Sequence, residues 1–485
     1  MCAHTPNLDA LARSENTLFF NRFYAAAAVC SPTRAAVLTG RTNERDCISN
    51  ALTCDSENPA YNCSMGKGLT WGQFTIAKAA KKSKLGDYET IMLGKWHLGD
   101  LWAKTNVTGY QGNYSNPGNH GFDRWMLTEA EASSSMSNCG CFPAVHAQPG
   151  PKPPSGYPTI SPNGDHCVVG GGFASDWAYP CTDYYSPHDP RNPGGPEAVP
   201  LGVKVQGDDS QFIVDHFEEF LRDVVDRQSR PFLAHLALHS IHEPHPAMPE
   251  YWKLYSKDPD YLGTLTQMDV QIGRILSLLK QHNVYQNTVI FFTADNGPHQ
   301  GLERSDIHWS TNFLRQCKAS NFEGGLRVPG MVHAPMFVTK NVNSTMPATS
   351  ADILPTIMEL LQVDSDTPTW PLDGISLLPF LRNATAAIGP RPKPIGISWG
   401  GQTALIDNAW KLMSTPAKGQ CTFQEPYASM KTLEDFYLFN LDDDYHEIID
   451  RKASEPERLA TMKRDLDAFL ASIQNSQQNE TLCDK

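Results

Sequence analysis

The chain has 485 residues, 40% of them hydrophobic and 19% charged, and carries a net charge of −13. That length allows one large domain and a smaller one, and the composition is that of an ordinary folded protein. The acidic balance argues against nucleic acid or an anionic membrane surface as the main partner, and no apolar run approaches the ~18–20 residues that span a bilayer. If the substrate is an anion, positive charge has to be concentrated locally.

In chain order, the first informative stretch is Cys30-Ser31-Pro32-Thr33-Arg34-Ala35-Ala36-Val37-Leu38-Thr39-Gly40-Arg41. If a helix starts there, Arg34 sits one turn after Cys30. Tyr88–Leu93 reads as a buried strand running into Gly94-Lys95-Trp96-His97-Leu98-Gly99. The stretch 133–200 is rich in Gly, Pro, Ser and Cys without periodicity, which predicts a long irregular insertion. A helix follows Asp208 and Asp209, with apolar positions from Phe212 to Val225 at helical spacing and carboxylates near its start. Phe232–Leu238 reads as a second strand, ending at His239, His242 and His245.

Met268–Leu279 is amphipathic, and Thr288–Thr293 forms a third apolar run, ending at Asp295-Asn296-Gly297. Another helix is predicted over Asp352–Leu361. Continuous apolar runs suit parallel strands covered on both faces, and open α/β sheets bind ligands beyond the carboxyl ends of such strands. From about Pro392 the pattern becomes antiparallel: Ile395–Ser398, Thr403–Ile406, Trp410–Ser414 and Phe436–Phe439, with a turn at Asp407-Asn408 and a closing helix over Glu455–Ile473. The fold class expected is α/β: a large mixed, mostly parallel sheet flanked by helices, with a smaller C-terminal antiparallel-sheet subdomain. The expected division is 1–391 and 392–485.

Twelve cysteines, several clustered (Cys47, Cys54, Cys63; Cys139, Cys141; Cys167, Cys181), suit disulfides in an oxidising compartment. Asn62, Asn106, Asn113, Asn343, Asn383 and Asn479 each head an Asn-x-Ser/Thr glycosylation sequon. Both features predict a glycosylated, secreted or lysosomal protein of the secretory pathway. No basic and apolar leader precedes Thr5-Pro6-Asn7-Leu8-Asp9, so a signal segment is expected upstream of Met1.

Cys-x-Pro-x-Arg followed by Leu-Thr-Gly-Arg resembles the signature of the sulfatase family, whose cysteine is oxidised after translation to formylglycine. The resemblance covers nearly the whole chain outside 133–200, and includes Asp352-Ile353-Leu354-Pro355-Thr356, Leu372-Asp373-Gly374 and Leu438-Phe439-Asn440-Leu441. It implies a sulfuric-ester hydrolase, with formylglycine at Cys30 as nucleophile. One hydroxyl of its hydrate attacks sulfur; the other, once deprotonated, expels sulfate. Arg34 would stabilise that group beside a helix N-terminus, which favours anions.

Gly94–Gly99 resembles the second sulfatase signature. It implies that Lys95 contacts the sulfate and that His97 is the base, a role suited to a side chain with an ordinary pKa near ~6.5. His242-Glu243-Pro244 resembles the family's His-x-Pro segment, which makes His242 the acid for the leaving alcohol, with His245 as its neighbour and rival. His235 and His239 read as packed or hydrogen-bonded structural residues. Asp295 and Asn296 match the metal loop, where carboxylate and amide oxygens suit calcium. Cys30 completes the implied metal set, and Lys318 matches the sulfate-clamping lysine.

The family also carries an Asp-Asp pair of metal ligands on a strand upstream of the Thr-Pro-Asn-Leu-Asp segment. That strand is expected before Met1; without it, weak metal binding and little activity are expected. The implied partners are a small-molecule or carbohydrate sulfate ester and, during maturation, the formylglycine-generating enzyme. The alternatives are a phosphoester or phosphonate hydrolase of the same superfamily and an inactive, truncated glycoprotein with the same fold.

Overall fold

In a computed structural model of the chain, residues 3–52, 68–101, 115–128, 158–160, 166–169, 178–180, 184–195, 198–200, 208–242, 245, 247–299, 314–364, 370–384, 389–399, 401–414 and 436–479 are described. The chain forms two compact units. The first comprises Met1–Arg13, Gly86–Thr105 and Asn116–Asn287; the second comprises Ser14–Leu85, Asn106–Ser115 and Thr288–Lys485.

The first unit is built on a five-stranded sheet. Its strand Glu89–Lys95 pairs in parallel with Phe232–Ala237 on one side and Arg124–Thr128 on the other. Short strands at Tyr185–Pro187 and Ala198–Pro200 extend it antiparallel. Every residue of Glu89–Lys95 is buried, as a continuous apolar run between two neighbours requires. Among the described residues Phe232–Ala237 has one strand partner, and all of it but Ala237 is half-buried.

Against this sheet the helix Ser210–Leu221 buries Ile213, Val214, Phe217, Phe220 and Leu221 at helical spacing. The rings of Phe217 and Phe220 meet Phe232 edge-on at 6.3 and 5.9 Å. The helix Pro259–Gln281 begins well before the predicted Met268, because its first half buries polar Thr264, Gln267 and Asp269 rather than an apolar stripe. Asp269 accepts from the backbone N–H groups of Asn7 and Leu8 at 3.0 and 2.7 Å, and so anchors the helix Pro6–Arg13. Within the predicted irregular insertion, Pro158–Ile160, His166–Val169 and Ala178–Pro180 form an antiparallel sheet; much of the rest, with Cys139, Cys141 and Cys181, lies outside the described residues.

In the second unit a four-stranded sheet runs in the order Ile290–Thr293, Gly330–His333, Thr17–Phe20, Val342–Ser344. Its first two pairings are antiparallel and the last is parallel, so the parallel character expected of the sheet is concentrated in the first unit. Leu18, Phe20, Val332, Val338 and Val342 pack with Leu377, Leu378 and Leu381 in its core. Four antiparallel strands, Ile395–Trp399, Gln402–Asp407, Trp410–Ser414 and Phe436–Asn440, form the separate C-terminal sheet. Asp407 pairs with Trp410, and Asn408 takes a left-handed φ of 54° in the two-residue turn between them. The helix Pro456–Asn479 packs Met462 and Leu466 on Leu405, Leu412 and Leu438, and continues past the predicted Ile473.

Candidate active site

Cys30 is the first residue of the helix Cys30–Thr39 and is 3% exposed. Thr33 fixes this start: its hydroxyl donates to the carbonyl of Ala27 (2.8 Å) and accepts from the N–H of Ala27 (3.1 Å). Gly40 ends the helix at φ 66°, donating its N–H to Ala36 O at 2.8 Å. The carbonyl of Gly40 then accepts from the N–H groups of Asp373 and Gly374. Arg45 reaches Asp373 at 2.8 Å and the Ser472 carbonyl at 2.8 Å. The Leu-Thr-Gly-Arg tail and the Asp373-Gly374 motif are thus mechanical parts that hold the helix, and Cys30 at its head, in place.

Four predicted residues meet around that helix start. The Cys30 thiol donates to Asn296 Oδ1 at 3.3 Å. Arg34, one turn on, donates from Nε and Nη2 to Asp295 Oδ2 at 3.0 and 2.8 Å. Gly297 follows them because its loop passes against backbone: a Cβ there would lie 1.9 Å from Gly324 O. Lys318 lies on the adjoining loop, half-buried, its N–H donating to Pro298 O at 2.8 Å. Gln316 and Ala319 flank it with left-handed φ values of 63° and 66°, and Ala319 N–H donates to Ala28 O at 2.9 Å.

Lys95, His97 and His242 belong to the first unit. Lys95 and His97 are 2% and 1% exposed, and His97 is held at a left-handed φ of 58° just after its strand. Between them Trp96 is fully buried, its ring tilted against His120 at 5.6 Å and its backbone N–H donating to Thr128 O at 3.1 Å. Gly94 lets the strand pass close: a Cβ there would stand 2.2 Å from Ala237 O. His242 lies in a turn where its N–H donates to His239 O at 2.9 Å. His245 is turned elsewhere, edge-on to Tyr261 at 5.2 Å, and burial pushes that phenol up to about 12.

Two buried polar clusters escaped the sequence reading. In the first unit His239 Nδ1 lies 2.6 Å from Asp209 Oδ2, and burial beside Asp209 raises neighbouring Asp208 to about 6. In the second, Lys411 sits 3.0 Å from Glu323 and 2.7 Å from Glu447. Burial raises Glu447 to about 7, against the pull of Lys411. The partners in each cluster are far apart in sequence, so local patterning carries no sign of them.

The metal set is incomplete among the described residues. Asp295 and Asn296 offer oxygens of the right chemistry, but calcium takes six to eight. One Asp295 oxygen is already held by Arg34 and the Asn296 oxygen by Cys30, and among the described residues no group of three His, Cys, Asp or Glu could hold an ion. The described residues do not by themselves form a calcium shell.

The scaffold is an α/β fold with a buried cysteine at a helix head, facing an Asp-Asn-Gly loop. The sulfatase family profile matches residues 2–363, and the chain belongs to the sulfatase family. It is 28% identical to arylsulfatase A of Bos taurus over 381 residues, covering 78% of this chain and 62% of that protein. It is 29% identical to human N-acetylgalactosamine-6-sulfatase over 393 residues, covering 78% of this chain and 61% of that one. The chain therefore spans about six-tenths of the length of these curated relatives. The crystal structure of the PsFucS1 sulfatase from Pseudoalteromonas sp. shares the fold with a TM-score of 0.67 at 20% identity, over 98% of this chain and 86% of that one. Among the described residues, no helix is long and apolar enough to cross a membrane.

Proposed function

We propose that the protein hydrolyses sulfate esters, with formylglycine formed from Cys30 as its nucleophile. The observation that carries this reading is the Cys30 thiol at the head of a buried helix, 3.3 Å from Asn296 and one turn before Arg34. Membership of the sulfatase family supports it.

Formylglycine at position 30 would supply a hydrated aldehyde as the nucleophile toward sulfur. The chain's own residues do the rest. Arg34 and the helix N-terminus place positive potential at position 30. Lys95 and Lys318 hold the sulfate oxygens, offsetting the acidic background of the chain. His97 takes a proton from the group at position 30, and His242 gives one to the departing alcohol. Asp295 and Asn296 would contribute oxygens to a calcium ion whose shell needs further ligands.

The substrate class we infer is a sulfated carbohydrate, a reading supported by the similarity to N-acetylgalactosamine-6-sulfatase. Maturation requires the formylglycine-generating enzyme, and hence passage through the secretory pathway to a secreted or lysosomal destination. The clustered cysteines of the sequence support an oxidising compartment. Exposure of the sequon residues Asn343 and Asn383 supports glycosylation. We assign catalysis to residues 1–391 and treat 392–485 as the C-terminal subdomain. Purified protein from a formylglycine-competent host, assayed on paired aryl sulfate and aryl phosphate, tests the reading: preferential sulfate release is expected, and preferential phosphate release would reassign the protein to phosphoester hydrolysis.

A further inference from the structure

Asp209 and His239 form a fully buried pair in the first unit, both side chains at 0% exposure. His239 Nδ1 lies 2.6 Å from Asp209 Oδ2, and its Nε2 meets Thr128 Oγ1 at 2.9 Å. Tyr184 donates its hydroxyl to the same Asp209 oxygen. The ring is thus held between the Asp209 carboxylate at Nδ1 and the Thr128 hydroxyl at Nε2, which fixes its plane. The adjacent carboxylate, Asp208, accepts from the Ser240 and Ser210 hydroxyls and from Ser210 N–H at 2.8 Å. Two neighbouring carboxylates at the start of the helix Ser210–Leu221 therefore grip two neighbouring residues, His239 and Ser240.

Both ends of this brace reach residues assigned to the chemistry. The His239 carbonyl accepts from His242 N–H at 2.9 Å, which closes the turn that carries His242. The Thr128 carbonyl accepts from Trp96 N–H at 3.1 Å, between Lys95 and His97. Buried carboxylates are costly unless fully partnered, and packing alone would be served by apolar residues of similar size. We infer that Asp209 and His239 are positioning residues that hold the His242 turn and the Lys95–His97 loop in their working geometry. This inference rests on the sulfate-ester reading.

The test uses the full chain with Asp209→Asn, and with Thr128→Val as a milder break should Asp209→Asn fail to fold. Hydrolysis is measured on sulfate esters of graded leaving-group pKa. Because an acid matters most when the leaving group is poor, each variant is expected to lose about tenfold or more in kcat/KM on alkyl sulfates and under about threefold on 4-nitrophenyl sulfate. Combined with His242→Ala, it should add no further loss on the alkyl sulfates. An equal loss across the series with an unchanged His242 signal, or no loss at all, would overturn the inference while leaving the sulfatase reading intact. If the wild type cleaves no sulfate ester, that reading fails, and histidine-labelled NMR still decides the brace. A shifted His242 signal in Asp209→Asn supports it, and an unchanged one overturns it.

Discussion

Arg34 sets two guanidinium nitrogens on one carboxylate oxygen of Asp295, across 261 residues of sequence. The pair joins the Cys30 helix to the loop carrying Asn296, and its side chains are 11% and 27% exposed. Lysine at position 34 would keep the charge but offer a single flexible donor centre. Arg34→Lys is therefore expected to fold with little change in melting midpoint and to lose about tenfold or more in kcat/KM on aryl sulfate. Unchanged turnover would remove Arg34 from the catalytic set.

Gly297 is required by crowding. A methyl group there would meet Gly324 O at 1.9 Å, and backbone cannot yield as a flexible side chain does. Gly297→Ala is expected to destabilise by about 1–3 kcal/mol, seen in a denaturant melt. It should also raise KM, since the displaced segment adjoins Lys318. A variant with wild-type stability and KM would show that the loop is not held there.

The fold was legible where burial and sequence pattern coincide. The apolar run Ile91–Leu93 within Glu89–Lys95 has sheet neighbours on both sides, and the run marks the strand well. Phe232–Ala237 and Ile290–Thr293 look the same in sequence, yet among the described residues each has one strand partner, so an apolar run by itself does not give the number of neighbours. The helix Pro456–Asn479 outran its prediction because its last turns are rich in polar Gln, Ser and Asn, which carry no apolar stripe. The site was legible as short motifs. The links between them, Arg34 to Asp295 and Asp209 to His239, were not, because contacts across such separations depend on topology.

Stability should fall as pH rises. Asp208 at about 6 and Glu447 at about 7 are both raised above their ordinary values by burial, so the folded chain holds protons that the unfolded chain releases. Their contribution is fully present below the unfolded carboxylate range, and is lost as pH climbs through about 6 and then about 7. The melting midpoint is expected to be higher at about pH 5 than at about pH 8. Glu447→Gln should flatten the upper part of that slope. A midpoint that rises with pH over this range would refute the assignment.

Cys30 lies buried at a helix head, and the proposed hydrolysis requires its thiol to become an aldehyde. The most direct measurement is mass spectrometry of the peptide containing Cys30, made on protein from a formylglycine-competent host and paired with sulfate release from an aryl sulfate. The expected result is a peptide carrying formylglycine at position 30, with activity rising in proportion to the converted fraction and absent in Cys30→Ala. Sulfate release from protein whose Cys30 is wholly unmodified, or equal release by Cys30→Ala, would contradict it.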